Sequence, residues 1–152
     1  MRTHVTSGRV LLAVLGLGLL MPLVARAQEE QKVRVQAEVV LASRKGSEVE
    51  PPELVKMKEQ FEKQNFNFTS FKRISMEVLE VGDKKPVEVK LPNGSNASLQ
   101  LLGMKDGIAT VRVAIPRQPT LDVELGRQGA VYQKAGKHVG GELILVLSPP
   151  SR

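Results

Sequence analysis

Val87-Glu88-Val89-Lys90-Leu91-Pro92-Asn93-Gly94 is the stretch from which the fold is read. Val87, Val89 and Leu91 alternate with Glu88 and Lys90, the period of two that turns one face of a strand to a core and the other to water. Asn93-Gly94 then supplies the positive φ angles that a tight hairpin needs, and Leu99 and Leu101 resume on one face beyond it. At Gly103 the parity shifts, which predicts a bulge. Asp106-Gly107 is a second hairpin signal, after which Val111, Val113 and Ile115 alternate with Thr110, Arg112 and Ala114 as far as Pro116 and Pro119. Leu121, Val123 and Leu125 alternate in turn with Asp122 and Glu124. Strands joined by short turns predict an antiparallel meander.

Upstream, Ile74, Met76 and Val78 alternate with Ser75 and Glu77, and Gly82-Asp83 begins a turn. Before them Pro51-Pro52 opens a helix, where a missing N–H costs nothing. Leu54, Met57 and Phe61 form its apolar stripe, Lys56, Glu59, Glu62 and Lys63 face water, and it ends by Gln64 or Asn65. A first strand carries Val33, Val35, Ala37, Val39 and Leu41 on one face and Arg34, Gln36 and Glu38 on the other. Downstream, a short strand near Ala130 to Gln133 is expected to enter a Lys- and Gly-rich loop, Lys134 to Gly141. Leu143, Ile144, Leu145, Val146 and Leu147 are apolar on both faces, so this strand is central and covered on both sides. The expected fold is α+β and β-rich: an antiparallel meander sheet or small, partly open barrel, with one helix after the first strand.

The chain begins with a pattern of another kind. Arg2 and Arg9 flank a short polar region, Val10 to Val24 is an apolar run, and Ala25-Arg26-Ala27 has the small-x-small form of a signal-peptidase site. As a helix, 15 residues rise about 22 Å, short of the roughly 30 Å hydrocarbon core. Residues 1–27 are therefore expected to be a cleavable signal peptide and 28–152 a single β-rich domain, periplasmic or secreted, with no transmembrane anchor after cleavage. The leader holds three arginines and no acid, so the remainder has 19 basic against 16 acidic residues, a net charge of +3 rather than +6. That is an ordinary charge for a surface, and no nucleic acid is expected as partner. With no cysteine in the chain there is neither a disulfide framework nor an acceptor for a lipid.

Chemistry-bearing residues are few. Outside the leader there is one histidine, His138, and one tyrosine, Tyr132. Zinc and copper ligand sets cannot be assembled from one histidine and no cysteine, and no Gly-x-Ser-x-Gly elbow accompanies His138. Glu77, Glu88, Asp122 and Glu124 read as a solvated sheet face, although Asp122 and Glu124 share that face and leave a calcium or substrate role open. All four phenylalanines lie between Phe61 and Phe71. They form either an aromatic binding platform or, as we favour, the packing of the helix on the sheet. Arg127, Lys134 and Lys137 with His138 form a positive stretch that, with Arg112, suits an acidic polymer or a solvated surface. No catalytic, cofactor or metal residue is assigned, and the candidate interaction surface is Phe66, Phe68, Arg112, Arg127, Lys134, Lys137 and His138.

Phe71, Leu91-Pro92-Asn93-Gly94, Leu101-Leu102-Gly103, Val111-Arg112-Val113 and Gly140-Gly141-Glu142-Leu143-Ile144-Leu145 together resemble small exported proteins of myxobacteria and related Gram-negative bacteria. The resemblance carries no functional residue across. The expected function is a non-catalytic binding or assembly module of a bacterial cell-envelope complex, its partner another envelope protein and its oligomeric state open. A small hydrophobic-ligand carrier with a barrel-like cavity is the alternative, and a hydrolase centred on His138, or on Asp122 and Glu124, a third.

Overall fold

The computed structural model describes residues 29–126 and 129–149. The expected leader and Arg127 lie outside the described residues. Along the chain run β1 (Lys32–Ser43), β2 (Val49–Glu50), a 3-10 turn (Pro52–Leu54) leading into α1 (Val55–Lys63), and β3 (Ser70–Gly82). Six further strands follow: β4 (Val87–Lys90), β5 (Asn96–Lys105), β6 (Ile108–Ala114), β7 (Leu121–Leu125), β8 (Val131–His138) and β9 (Gly141–Ser148). They form two sheets, β2-β3-β1-β9-β8 and β4-β5-β6-β7. Only β2 runs parallel to its neighbour. The fold is thus α+β and β-rich with one short helix after the first strand, and of the two expected forms it is open sheets rather than a barrel.

The sheets meet face to face. Val35, Ala37 and Val39 of β1 and Leu143, Leu145 and Leu147 of β9 pack with Leu99, Leu101, Val111 and Val113 of the smaller sheet. On the opposite face, α1 and its leading turn press Leu54, Met57 and Phe61 onto Val40, Ala42, Ile144 and Val146. The run at 143–147 is therefore buried on both sides, with alternate side chains in each core. Burying one such side chain contributes about 1.5–3 kcal/mol, so this strand ties both layers to the central sheet.

Three details depart from expectation. Lys134 to Gly141 is not a loop: β8 continues to His138 and turns on Val139 and Gly140 into β9. The strand survives its glycine because a bulge falls between Lys134 and Lys137, with Gly136 at φ 109°. The Asn93-Gly94 turn has positive φ at Gly94 alone, 88°, and Gly94 N–H donates to the Leu91 carbonyl across 3.1 Å. Pro92 presets the first corner of a longer loop, and the glycine takes the left-handed position. Asp106 and Gly107, by contrast, make the expected two-residue hairpin with φ of 54° and 78°, and the expected bulge lies between Leu101 and Gly103.

The third concerns β3. Val39 faces Ser75 and Val40 faces Arg73, so Ile74 is the extra residue of a bulge. Glu38 faces Met76 and Gln36 faces Val78, which sets Met76 and Val78 on the helix side of the sheet, where Met76 shares an open hollow with Lys56 and Met57 of α1. Ile74, Met76 and Val78 are 40%, 49% and 45% exposed.

Candidate functional site

The end of the larger sheet brings most of the candidate surface together. β1 finishes at Ser43 beside the start of β9, with Ala42 opposite Glu142, and β8 finishes opposite the same strand, with Lys137 facing Glu142 and His138 facing Gly141. This places Arg44 and Lys45, which follow β1, around one open cleft with Lys137, His138 and the tip Val139–Gly141. Phe68 and Glu142 complete its wall, and its volume is about 550 Å³. Gly141 is fixed by close approach: a Cβ there would lie 2.5 Å from the Ala42 carbonyl oxygen.

A second, smaller hollow of about 150 Å³ adjoins it, lined by Phe61, Phe66, Phe68, Tyr132, Lys134 and Ile144. Phe61 is the hub of the aromatic cluster, 5.5 Å from Phe66, 5.7 Å from Phe71 and 5.4 Å edge-on from Tyr132. Phe61, Phe68 and Phe71 are buried and pack the helix onto the sheet, while Phe66 is half-buried beneath the Lys134 ammonium at 5.0 Å. Arg44 lies 5.5 Å over Phe68. Of the candidate residues, Phe66, Phe68, Lys134, Lys137 and His138 are thus neighbours. Arg112 is not among them: it stands on β6 in the other sheet, its Nε 3.0 Å from Asp122 Oδ1 and its Nη2 3.3 Å from Oδ2. That bond, with the carboxylate's charge, raises the guanidinium's pKa. Asp122 is occupied with Arg112, and no group of three or more possible metal-binding side chains occurs among the described residues.

His138 shares the cleft with Ser43 and Glu142, without the geometry of a nucleophilic relay. His138 and Glu142 face Gly141 and Lys137 respectively, so they point to opposite sides of the sheet. The Ser43 hydroxyl oxygen accepts the Lys45 N–H at 3.0 Å, and Glu142 Oε2 lies 3.7 Å from Lys134 Nζ.

Sequence reading missed a partly buried ion pair on the helix face. Glu38, 8% exposed, accepts a 2.8 Å bond from Arg73 Nε, and Arg73 Nη2 reaches Glu53 at 2.8 Å. Burial pulls the Arg73 pKa down, but the two carboxylates outweigh it and the net shift is upward. Tyr132 is displaced upward by burial and then by the charge of Glu38. Alternation along β1 made Glu38 a water-facing residue; only the bulge at Ile74, which swings Arg73 beneath it, reveals the pair. Nor does the sequence single out Arg44 and Lys45, because their meeting with β8 depends on long-range pairing. No described helix is long and apolar enough to cross a membrane. No protein-family model, curated protein or solved structure matches this chain.

Proposed function

We propose that the protein is an exported, non-catalytic binding module of a bacterial cell-envelope complex, and that it accepts an extended segment of another envelope protein along β3. The observation that carries this reading is the outer edge of that strand. On its outer side β3 pairs with β2 at Phe71 and Lys72 only, leaving Arg73 to Gly82 at the sheet's edge with Ile74, Met76 and Val78 exposed beside it. Edge strands are ordinarily blunted by charge, bulges, proline or cover; β3 has a bulge at Ile74 and two acids, Glu77 and Glu80, yet keeps Met76 and Val78 exposed beyond the bulge. A long edge with apolar side chains suits strand addition, in which backbone bonds give affinity and alternate side chains give selectivity. The space between the two sheets is filled by buried aliphatics, and the hollows described above open outward, so binding is assigned to the surface rather than to a carrier's interior.

The test is site-directed photocrosslinking in the native envelope. Crosslinkers at Met76 and Val78 are expected to capture one discrete heterologous protein, and one at Thr110, on the outward face of the other sheet, is expected not to. Met76→Lys should abolish capture from Val78. Crosslinks only to a second copy of the chain, or none from the edge, would overturn the proposal.

A further inference from the structure

The cleft at the end of β1, β8 and β9 holds charge that the rest of the molecule does not neutralise. Arg73 and Arg112 are each paired with carboxylates. Arg44, Lys45 and Lys137, all exposed, converge on one cavity, and among the described residues no carboxylate is paired with any of the three. They come from two separate segments that only the β1–β9–β8 pairing brings together. Clustered like charge opposes folding, and among the described residues no ion pair offsets it here. The one acid of the lining, Glu142, has Lys134 at 3.7 Å, and its Oε2 is shut from solvent without a hydrogen-bond donor.

We infer that this cleft binds a phosphate group carried on a sugar-sized body. Three converging cations leave a single carboxylate over-matched, whereas a phosphomonoester brings about −1.5 to −2 charges and three acceptor oxygens. Arg44 offers the planar fork that bonds two phosphate oxygens at once, and its stacking on Phe68 at 5.5 Å limits its freedom. Lys45 and Lys137 add point charges from the two sides. The volume, about 550 Å³, falls within the roughly 300–1,000 Å³ range of small-molecule sites. The phosphate can belong to a soluble sugar phosphate or to a phosphorylated lipid headgroup, since both present the same oxygens. This site is separate from the β3 edge and does not depend on it.

The test uses the chain from Gln28 onward, with glucose, glucose 6-phosphate, and phosphatidylcholine vesicles with and without phosphatidic acid as probes. Glucose 6-phosphate should bind saturably, more weakly as salt rises, while glucose should bind much more weakly. Arg44→Gln and Lys137→Gln should each weaken it about tenfold or more, the loss expected for one charge-assisted bond. Arg112→Gln should leave binding unchanged, and Lys137→Arg should retain it. Binding only to vesicles containing phosphatidic acid, lost in the same variants, supports the inference and identifies the headgroup as the source. Equal affinity for glucose and its phosphate, no saturable binding to either anionic probe, or binding indifferent to Arg44→Gln and Lys137→Gln would overturn it.

Discussion

Arg73 Nε donates to Glu38 Oε2 across 2.8 Å, joining the strand at the sheet's edge to the one at its centre. The two side chains keep 21% and 11% of their exposure, so the carboxylate cannot rely on water if its partner is removed. Arg73→Met should therefore destabilise the protein by about 2–3 kcal/mol, somewhat less than the ~3–5 kcal/mol for breaking a fully buried pair. Glu53, 65% exposed on its side chain, stays solvated and adds little to the loss. Adding Glu38→Leu to Arg73→Met should recover most of the stability, because the cost lies in the stranded charge. Urea unfolding of both single variants and the double closes the cycle; an Arg73→Met variant as stable as the parent would show that solvent reaches Glu38 freely.

The same pair marks where sequence reading stops. Period-two alternation and turn residues are local, so the strands from Val87 to Leu125, the hairpin at Asp106-Gly107 and the bulge before Gly103 were legible. The helix stripe of Leu54, Met57 and Phe61 and the doubly buried 143–147 run were equally so, since each follows from side chains within one element. Which strands lie together is not local. Ala42 opposite Glu142 and Lys137 opposite Glu142 bring Arg44 and Lys45 to Lys137 and His138, and no feature of the segment at 44–45 announces it. Lys137 and His138 stand out in the sequence as basic residues of a loop; that they end a strand depends on Gly136 occupying a bulge. Charge alone groups Arg112 with them, and the second sheet carries it elsewhere.

Gly141 has a sterically required identity. An added Cβ would meet the Ala42 carbonyl oxygen at 2.5 Å and the Leu41 side chain at 3.1 Å, and the oxygen belongs to a paired central strand that cannot retreat. Gly141→Ala should lose about 1–3 kcal/mol or more, as overpacking does. Gly103→Ala, which meets nothing within 4 Å and whose φ is not positive, should change stability by less than about 0.5 kcal/mol. Denaturation midpoints of the two variants make the comparison. Equal behaviour would mean that β9 can shift away from β1.

Val139 occupies the first corner of the β8–β9 turn at φ 46°, followed by Gly140 at φ 79°. A β-branched residue in the left-handed region is strained by about 1–2 kcal/mol, and with 80% of its surface exposed Val139 regains little by packing. Asparagine tolerates this conformation and, before glycine, favours the two-residue hairpin. Val139→Asn should raise stability by about 1 kcal/mol, read as a higher urea midpoint with an unchanged slope. A drop would show that the valine side chain holds the cleft wall by contact.

Tyr132 supplies a spectroscopic report on the helix face, since the chain has one tyrosine and no tryptophan. Burial disfavours the phenolate first and the Glu38 charge adds to it, so the folded phenol titrates above its ordinary value. The folded state then holds its proton more tightly than the unfolded chain. The resulting stability is fully present below the ordinary phenol range and is lost as the pH rises through that range to the folded value. Tyrosinate absorbance in native protein should therefore lag behind that of the urea-unfolded chain. In Glu38→Gln the native curve should move toward lower pH yet remain above the unfolded one, because burial persists when the charge is gone. Coincident native and unfolded curves would mean that water reaches the ring. A native curve unmoved by Glu38→Gln would mean that the carboxylate acts on Arg73 alone.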